Sequence, residues 1–333
     1  MRIAVIGAGA LGGTFATLLS QAGHDVTVTA RGAGLAAIRE HGIRLEGGFG
    51  RAHARPAALQ RLTDTPELAL VCTKAQDAEA AITDNAAALD GAAVIVIQNG
   101  LDGVNTARRL LPRSDCFGAL SIIAANYTEP GLVTVTTAAP TYLGRGTGAA
   151  DDATRHWQAV LNGAVPSQAI DNFVGSQWTK LVVNMLNALP AITGLSVQEV
   201  VANPGLRRVM TLSMREAVRV GMRRGISFGA MQALGDRRLR AFSRLPAWAG
   251  QVLPLMMRAR MGTVPNLGST LQSVTRGQRT EVDYLNGAVV REAAVAGVPA
   301  PVNSRLTALV HEVEERGSFL GPAEVLARFS RSR

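Results

Sequence analysis

Lysine is almost absent from this chain: 34 residues are basic, yet only Lys74 and Lys180 are lysines, which leaves 32 arginines. Arginine keeps its proton at any useful pH, whereas a desolvated lysine gives it up, so a rare lysine in an apolar segment is a candidate for proton chemistry. Cysteine is as scarce. Cys72 and Cys116 lack CxxC spacing and lie in or beside apolar strand-like runs, which points to buried free thiols rather than a disulfide or a metal site. The five histidines are scattered without HxxxH or HExxH spacing, so no metal is expected. Long apolar runs are missing too, each being broken by Asn, Pro, Gly or Arg short of the ~18 residues a membrane helix requires. No charged leader precedes the strand-like "RIAVIG" that starts at Arg2, so the expectation is a soluble, cytoplasmic protein with no membrane partner. The net charge of +9 raises nucleic acid as a partner. Most arginines are spread along the chain, however, and "RRLRAFSR" (237–244) has one aromatic and no recognised DNA-binding framework, so none is expected.

No polar low-complexity tract interrupts the 333 residues, of which 47% are apolar, and this suits two globular domains with a core each. The first domain opens with "MRIAVIGAGALGGTFATLLSQAGHDVTVTAR", which reads as strand, glycine turn, helix, strand. Gly7, Gly9 and Gly12 form G-x-G-x-x-G at the end of the continuous apolar run Ile3 to Ile6, as in a dinucleotide-binding Rossmann unit. The first glycine permits the tight turn, the second lets a pyrophosphate approach the backbone, and the third lets helix and strand pack closely. The loop Gly7-Ala8-Gly9-Ala10-Leu11-Gly12 is therefore the expected phosphate cradle, at a helix N-terminus whose N–H groups and dipole suit an anion. The second strand, "DVTVTA", leads to Ala30 and Arg31, where an NAD site would present Asp or Glu. A guanidinium there suits a 2′-phosphate, which favours NADP, the competing reading being a solvated loop arginine.

Further strands are expected in "LALVCTK" (68–74), "AAVIVIQNG" (92–100), "DCFGALSIIAA" (115–125), "GLVTVTTA" (131–138) and "PTYLGR" (140–145). Lys74 and Gln98-Asn99-Gly100 end two of them, where open α/β sheets bind ligands, so Lys74 and Asn99 are candidate cofactor contacts. Ordinary strand-ending turns remain the alternative.

From about residue 172 the pattern becomes helical, with stretches at 174–190, 205–225, 283–297 and 302–317 and an irregular connection over 235–268 that contains Pro246, Pro254 and Pro265. The expected organisation is a Rossmann domain over 1–171, an all-α substrate-binding domain over 172–333, and a cleft between them. In "SQWTKLVVNMLNALPAITG" (176–194), Lys180, Asn184 and Asn187 recur at i, i+4 and i+7 and form one polar stripe of a helix. A snorkelling lysine beside solvated amides is the competing reading. In "RTEVDYLNG", Thr280 is placed to cap a helix with Glu281 and Asp283 in its first turn, a role that needs no ligand.

With these motifs assembled, the chain resembles the ketopantoate reductases (2-dehydropantoate 2-reductases). The resemblance runs nearly end to end, through "GAGALGG", "TKAQD", "QNGLDGVN", "EPGLV", "WTKLVVN", and "RGQRTEVDYLNGAVV" followed by "GVPAPVN". It implies a Rossmann domain followed by a helical domain, NADPH as cofactor, and reduction of a 2-keto acid, 2-dehydropantoate to pantoate, in pantothenate and coenzyme A biosynthesis. It further implies Lys180 as general acid, Asn184 as a substrate-positioning amide and Asn99 as a group between nicotinamide and substrate. Ser269 and Glu281 become substrate or cofactor contacts, and Ala125 falls near a cofactor contact. Three features depart from the family pattern. Asn187 follows Asn184 by three residues instead of four and Pro190 replaces a threonine; Ser273 stands at a usually acidic position; and 230–265 is longer than usual. A reductase of another keto acid and a non-catalytic NADPH sensor stay open beside the main reading, and the oligomeric state stays open with a homodimer among the options.

Overall fold

The central strands of this protein lie where its apolar runs are continuous. The computed structural model describes residues 1–231, 233–262 and 264–330, and divides into two compact units, Met1–Phe173 and Val174–Arg333. In the first unit the strands are β1 (Arg2–Ile6), β2 (Asp25–Thr29), β3 (Ile43–Gly47), β4 (Ala52–Ala54), β5 (Ala57–Leu59) and β6 (Leu68–Val71). They are followed by β7 (Ala93–Ile97), β8 (Asp115–Ser121), β9 (Ala124–Glu129), β10 (Leu132–Thr137), β11 (Thr141–Gly144) and β12 (Ser167–Ala169). Eight strands form one sheet in the order β12-β11-β8-β7-β6-β1-β2-β5, parallel except where β11 runs against β8. β6 and β7 are wholly buried and β1 nearly so, as central strands covered on both faces must be, and this is why they read as unbroken apolar runs.

A second sheet of four strands, β4-β3-β10-β9, covers the helix Ala10–Gln21 from the other side. That helix is buried from Gly12 to Leu19. It is built for the purpose: a Cβ on Gly13 would stand 2.8 Å from Val133 Cγ2 of β10, so a larger residue would force helix and sheet apart. The expected single strand over 115–125 is in fact β8 and β9, in different sheets. The chain changes sheet at Ile122 and Ile123, whose N–H groups bond to the Pro140 carbonyl and the Ser121 hydroxyl.

The second unit is helical, so the Rossmann-like α/β domain followed by an all-α domain is the observed fold class. Two expectations need correction. The stretch 174–190 is not one helix: Phe173–Asn184 ends, and Ala188–Thr193 begins after a break. Pro190 is the cause, because in a continuous helix its ring would clash with the Leu186 carbonyl, whereas in the first turn of a new helix its missing N–H has no partner to lose. The segment 235–268 is not irregular either, since it holds the helices Asp236–Arg244, Ala247–Gly250 and Val252–Ala259. Pro246 precedes one helix and Pro254 occupies the first turn of another, places where proline is compatible with helix.

Candidate functional site

In the first unit the register puts the strand ends level: Ile6 pairs with Thr29 and Val71, and Val71 with Val96. Gly7, Arg31, Lys74 and Asn99 therefore follow four neighbouring strands at one carboxyl edge of the sheet. Gly7 has φ +92°, and a Cβ there would meet Thr73 Cγ2 at 2.7 Å. Its N–H and that of Ala8 donate to the Thr29 carbonyl at 3.2 and 3.1 Å, which ties the glycine turn to β2. A Cβ on Gly12 would run into the Gly7 carbonyl oxygen. Gly9, by contrast, has nothing within 4 Å of where its Cβ would be. Gly7 and Gly12 are thus required by the fold, while Gly9 keeps a space open above the loop. Gly9 caps the helix without a side-chain bond, and the amides of Ala10, Leu11 and Gly12 belong to its first turn, whose N–H groups have no carbonyl inside the helix to bond. An open backbone at a helix N-terminus fits a dinucleotide pyrophosphate.

Arg31 lies two residues past the end of β2, in extended conformation before the helix Gly32–His41. Its side chain is 76% exposed and reaches Asp77 only at 3.8 Å, so most of its donor capacity faces solvent. Lys74 precedes the helix Ala75–Asp84 and is half-buried, as is Asn99 in the bend after β7. Ala125 lies elsewhere, on β9 of the second sheet, opposite Val135. Next to Asn99 stands Gln98, at the strand end the sequence singled out but without a role of its own there. Its Nε2 donates to the Thr73 carbonyl at 2.8 Å, and its Oε1 is buried without a partner among the described residues. The polar end of the "VIVIQNG" run was the only hint in the sequence. Cys72 and Cys116 are free, and burial raises both thiol pKa values.

In the second unit Lys180 and Asn184 stand one turn apart on Phe173–Asn184, both half-buried. Burial lowers the Lys180 pKa from 10.5 to about 8, with the charge of Glu281 opposing the shift. Glu281 immediately precedes a short 3₁₀ turn, Val282–Tyr284, and its side chain does not cap it. The Thr280 hydroxyl accepts from the Val282 N–H at 3.3 Å, and Glu314 accepts from the Thr280 N–H at 2.7 Å. The local backbone is thus satisfied by Thr280 and Glu314, and the Glu281 carboxylate acts on Lys180.

Asn187 departs from the expected stripe. The last bonds before it tighten to i→i−3, from Met185 to Val182, Leu186 to Val183 and Asn187 to Asn184, so Asn187 lies beyond the helix that carries Lys180. It backs instead onto Gly268 (φ +68°), whose Cβ would meet Asn187 Oδ1 at 2.6 Å. Gly268 begins the helix Gly268–Thr275, which bears exposed Ser269 at its second position, and Ser273 Oγ donates to the Ser269 carbonyl at 3.2 Å. The structure thus relates Lys180 to Asn184 and Glu281, and Asn187 to the Ser269 helix.

A family model described as "Ketopantoate reductase PanE/ApbA" matches residues 3–148, and one described as "Ketopantoate reductase PanE/ApbA C terminal" matches 172–314. A 2-dehydropantoate 2-reductase of Archaeoglobus fulgidus is 30% identical over 94% of this chain and 98% of its own. The chain belongs to the ketopantoate reductase family. Its family relative from Pyrococcus horikoshii, also a 2-dehydropantoate 2-reductase, is 25% identical over 95% of this chain and 99% of its own. Among solved structures, a PanE/ApbA family ketopantoate reductase from Ralstonia eutropha superposes with a TM-score of 0.80 at 28% identity, covering 95% of this chain and 99% of that one. D-mandelate dehydrogenase, solved with NADH and anilino(oxo)acetate, shares the fold with a TM-score of 0.81 at 21% identity, covering 95% and 99%. Ketopantoate reductases are oxidoreductases, and keto acid reduction is the chemistry the family membership supports. No helix among the described residues is long and apolar enough to cross a membrane.

Proposed function

We propose that the chain is an NADPH-dependent reductase of a 2-keto acid, with 2-dehydropantoate as substrate and pantoate as product, working in the cytoplasm in the route to pantothenate. The observation that carries this reading is the lysine with a pKa of about 8 beside Glu281 in a member of the ketopantoate reductase family. The loop from Gly7 to Gly12 would hold the pyrophosphate, Arg31 the 2′-phosphate, and Lys74, Asn99 and Ala125 further parts of the cofactor. NADPH, when bound, supplies the hydride for the keto carbon. As negative charge grows on the substrate oxygen, Lys180 Nζ gives it a proton, so that C=O becomes CH–OH. Asn184 and Ser269 orient the polar substrate, and the cationic lysine attracts its carboxylate before it gives up the proton. Glu281 keeps enough lysine protonated for this role.

A panel of 2-keto acids, followed by NADPH oxidation at fixed enzyme concentration, tests the reading. Turnover fastest with 2-dehydropantoate is the expected outcome, and no turnover with any member refutes it. The position of Asn187 favours one variant reading, a different 2-keto acid. With its side-chain amide against Gly268 and its place beyond the end of the helix that carries Lys180 and Asn184, Asn187 would meet a substrate from the side of the Ser269 helix, and the same panel would place the fastest turnover on another acid.

A further inference from the structure

The helix that carries Lys180 and Asn184 is followed at once by a buried side chain whose sulfur meets one polar group. Met185, the next residue after Asn184, is fully buried, and Asn286 Nδ2 lies 3.5 Å from its sulfur, a weak acceptor. The same amide donates to Asn303 Oδ1 at 2.9 Å and lies 3.5 Å from Ser213 Oγ. Ser213 Oγ also donates to Asn303 Oδ1, at 2.8 Å. Asn303 in turn donates from Nδ2 to the Ser213 carbonyl at 3.1 Å and to Glu216 Oε2 at 2.8 Å. Its side-chain amide is therefore fully used, with two donors spent and one oxygen accepting twice.

Glu216 anchors this group. The helix Pro301–Arg316 has Ala300 at its N-cap, which offers no capping side chain. Glu216, on the helix Pro204–Arg223, fills that role by accepting the Val302 and Asn303 N–H groups, both at 2.9 Å. Burial raises the carboxyl pKa of Glu216, and these backbone and amide donors oppose the rise. Ser213, Asn286 and Asn303 are all buried. In such surroundings each polar group tolerates little displacement, because losing a partner leaves it stranded away from water.

The chain connections give this rigidity a direction. Met185 directly follows Asn184 on one segment. On the other, Asn286 lies five residues after Glu281, joined to it by the turn in which Tyr284 and Leu285 N–H both bond to the Glu281 carbonyl. We propose that Asn286, held by Ser213, Asn303 and Glu216, is a positioning residue that clamps the end of the Phe173–Asn184 helix through Met185 and so fixes Lys180 and Asn184 relative to Glu281. The clamp rests on the proposed reductase function for its consequence in catalysis, while its effect on Lys180 can be read without turnover.

The test uses the full chain and the variants Asn286→Leu and Met185→Leu. Leucine removes the amide or the sulfur at similar volume, and Met185→Leu is among the best-tolerated core exchanges, so it serves even where Asn286→Leu does not fold. Trace acylation of the amines at pH 6.5, well below the Lys180 pKa of about 8, read by mass spectrometry, gives the reactivity of Lys180, with Lys74 in the other unit as internal reference. The ratio is expected to change by about threefold or more in either sense, equivalent to half a pKa unit of reactivity. With 2-dehydropantoate as substrate, kcat is expected to fall ~10- to 100-fold with KM for NADPH unchanged, as for a misplaced catalytic group. A merely structural role lowers the melting temperature but leaves the labelling ratio of the folded protein at the wild-type value. A wild-type ratio in Met185→Leu, and in Asn286→Leu where that variant folds, overturns the proposal. Absence of wild-type turnover on every 2-keto acid refutes the reductase reading instead, and the labelling ratio then still decides the clamp.

Discussion

The carboxylate of Glu281 works against the burial of Lys180. Burial carries the lysine down to about 8, and the negative charge of Glu281 limits the fall. Near neutral pH such an ammonium is still mostly charged, yet it lies within reach of giving up its proton, which a solvated lysine does not. Attraction of an anionic substrate and proton donation thus become available from one atom.

Substitution of Lys180 separates these two roles. Lys180→Arg keeps the charge and loses the transferable proton, so kcat is expected to drop by ~10²–10⁴ while NADPH binding persists. Lys180→Ala should lose turnover and also weaken keto acid binding. Steady-state kinetics with cofactor titration measures both, and a near-normal kcat in Lys180→Arg removes the proton-donor assignment.

The pH profile follows from the same pair. Reduction needs the ammonium, so kcat should be level at lower pH and decline as pH rises through about 8. Oxidation of the hydroxy acid needs the free amine and should show the opposite limb. Glu281→Gln removes the charge that raises the lysine pKa, so the limb should move to lower pH while the melting temperature stays close to wild type. A marked loss of stability with an unmoved limb would make Glu281 a structural residue.

Two glycines of the loop should fail in different ways. An added Cβ at Gly9 meets nothing, so Gly9→Ala should melt like wild type yet bind NADPH at least tenfold more weakly, about 1.4 kcal/mol. Gly12→Ala drives its Cβ into the Gly7 carbonyl oxygen and should cost ~1–3 kcal/mol or more of stability. Calorimetry with and without cofactor distinguishes them, and unchanged NADPH affinity in Gly9→Ala would place the pyrophosphate elsewhere.

Cofactor choice should turn on Arg31. Its contact with Asp77 is long and exposed, so little in the protein competes for the guanidinium. Arg31→Ala should weaken NADPH by about 10- to 150-fold, equivalent to ~1.5–3 kcal/mol for a charge-assisted bond, and leave NADH nearly unchanged. Equal losses for both cofactors, at one ionic strength, would put Arg31 outside the discriminating contact.

What the sequence revealed and what it hid follow from the range over which each feature is encoded. The glycine loop was legible because its three glycines fall within six residues at the end of an apolar strand, although the residue that crowds Gly7, Thr73, is distant in the sequence. The break after Asn184 was also written locally, in Pro190, but the apolar period of 174–190 outweighed it. The prolines of 235–268 suggested irregularity because a proline opening a helix and a proline preventing one look alike without the fold. The Glu216 and Asn303 pairing was illegible, since the partners lie 87 residues apart and each reads as an ordinary polar residue on its own helix.

The second sheet imposes an order on synthesis. β3 and β4 are close in sequence and pair antiparallel, but β3 also pairs in parallel with β10, Leu132 opposite Arg44 and Val133 opposite Leu45. Between the end of β4 at Ala54 and the start of β10 at Leu132, a ribosome adding ~5–20 residues per second needs roughly 4–16 s. Throughout that interval one edge of β3 lacks its neighbour, and the face of Ala10–Gln21 at Gly13 lacks Val133. An arrest-peptide force measurement should register no closure of this layer before Val133 has emerged. Until then the nascent chain carries an open strand edge next to an uncovered apolar helix face, the kind of surface on which unfinished chains associate.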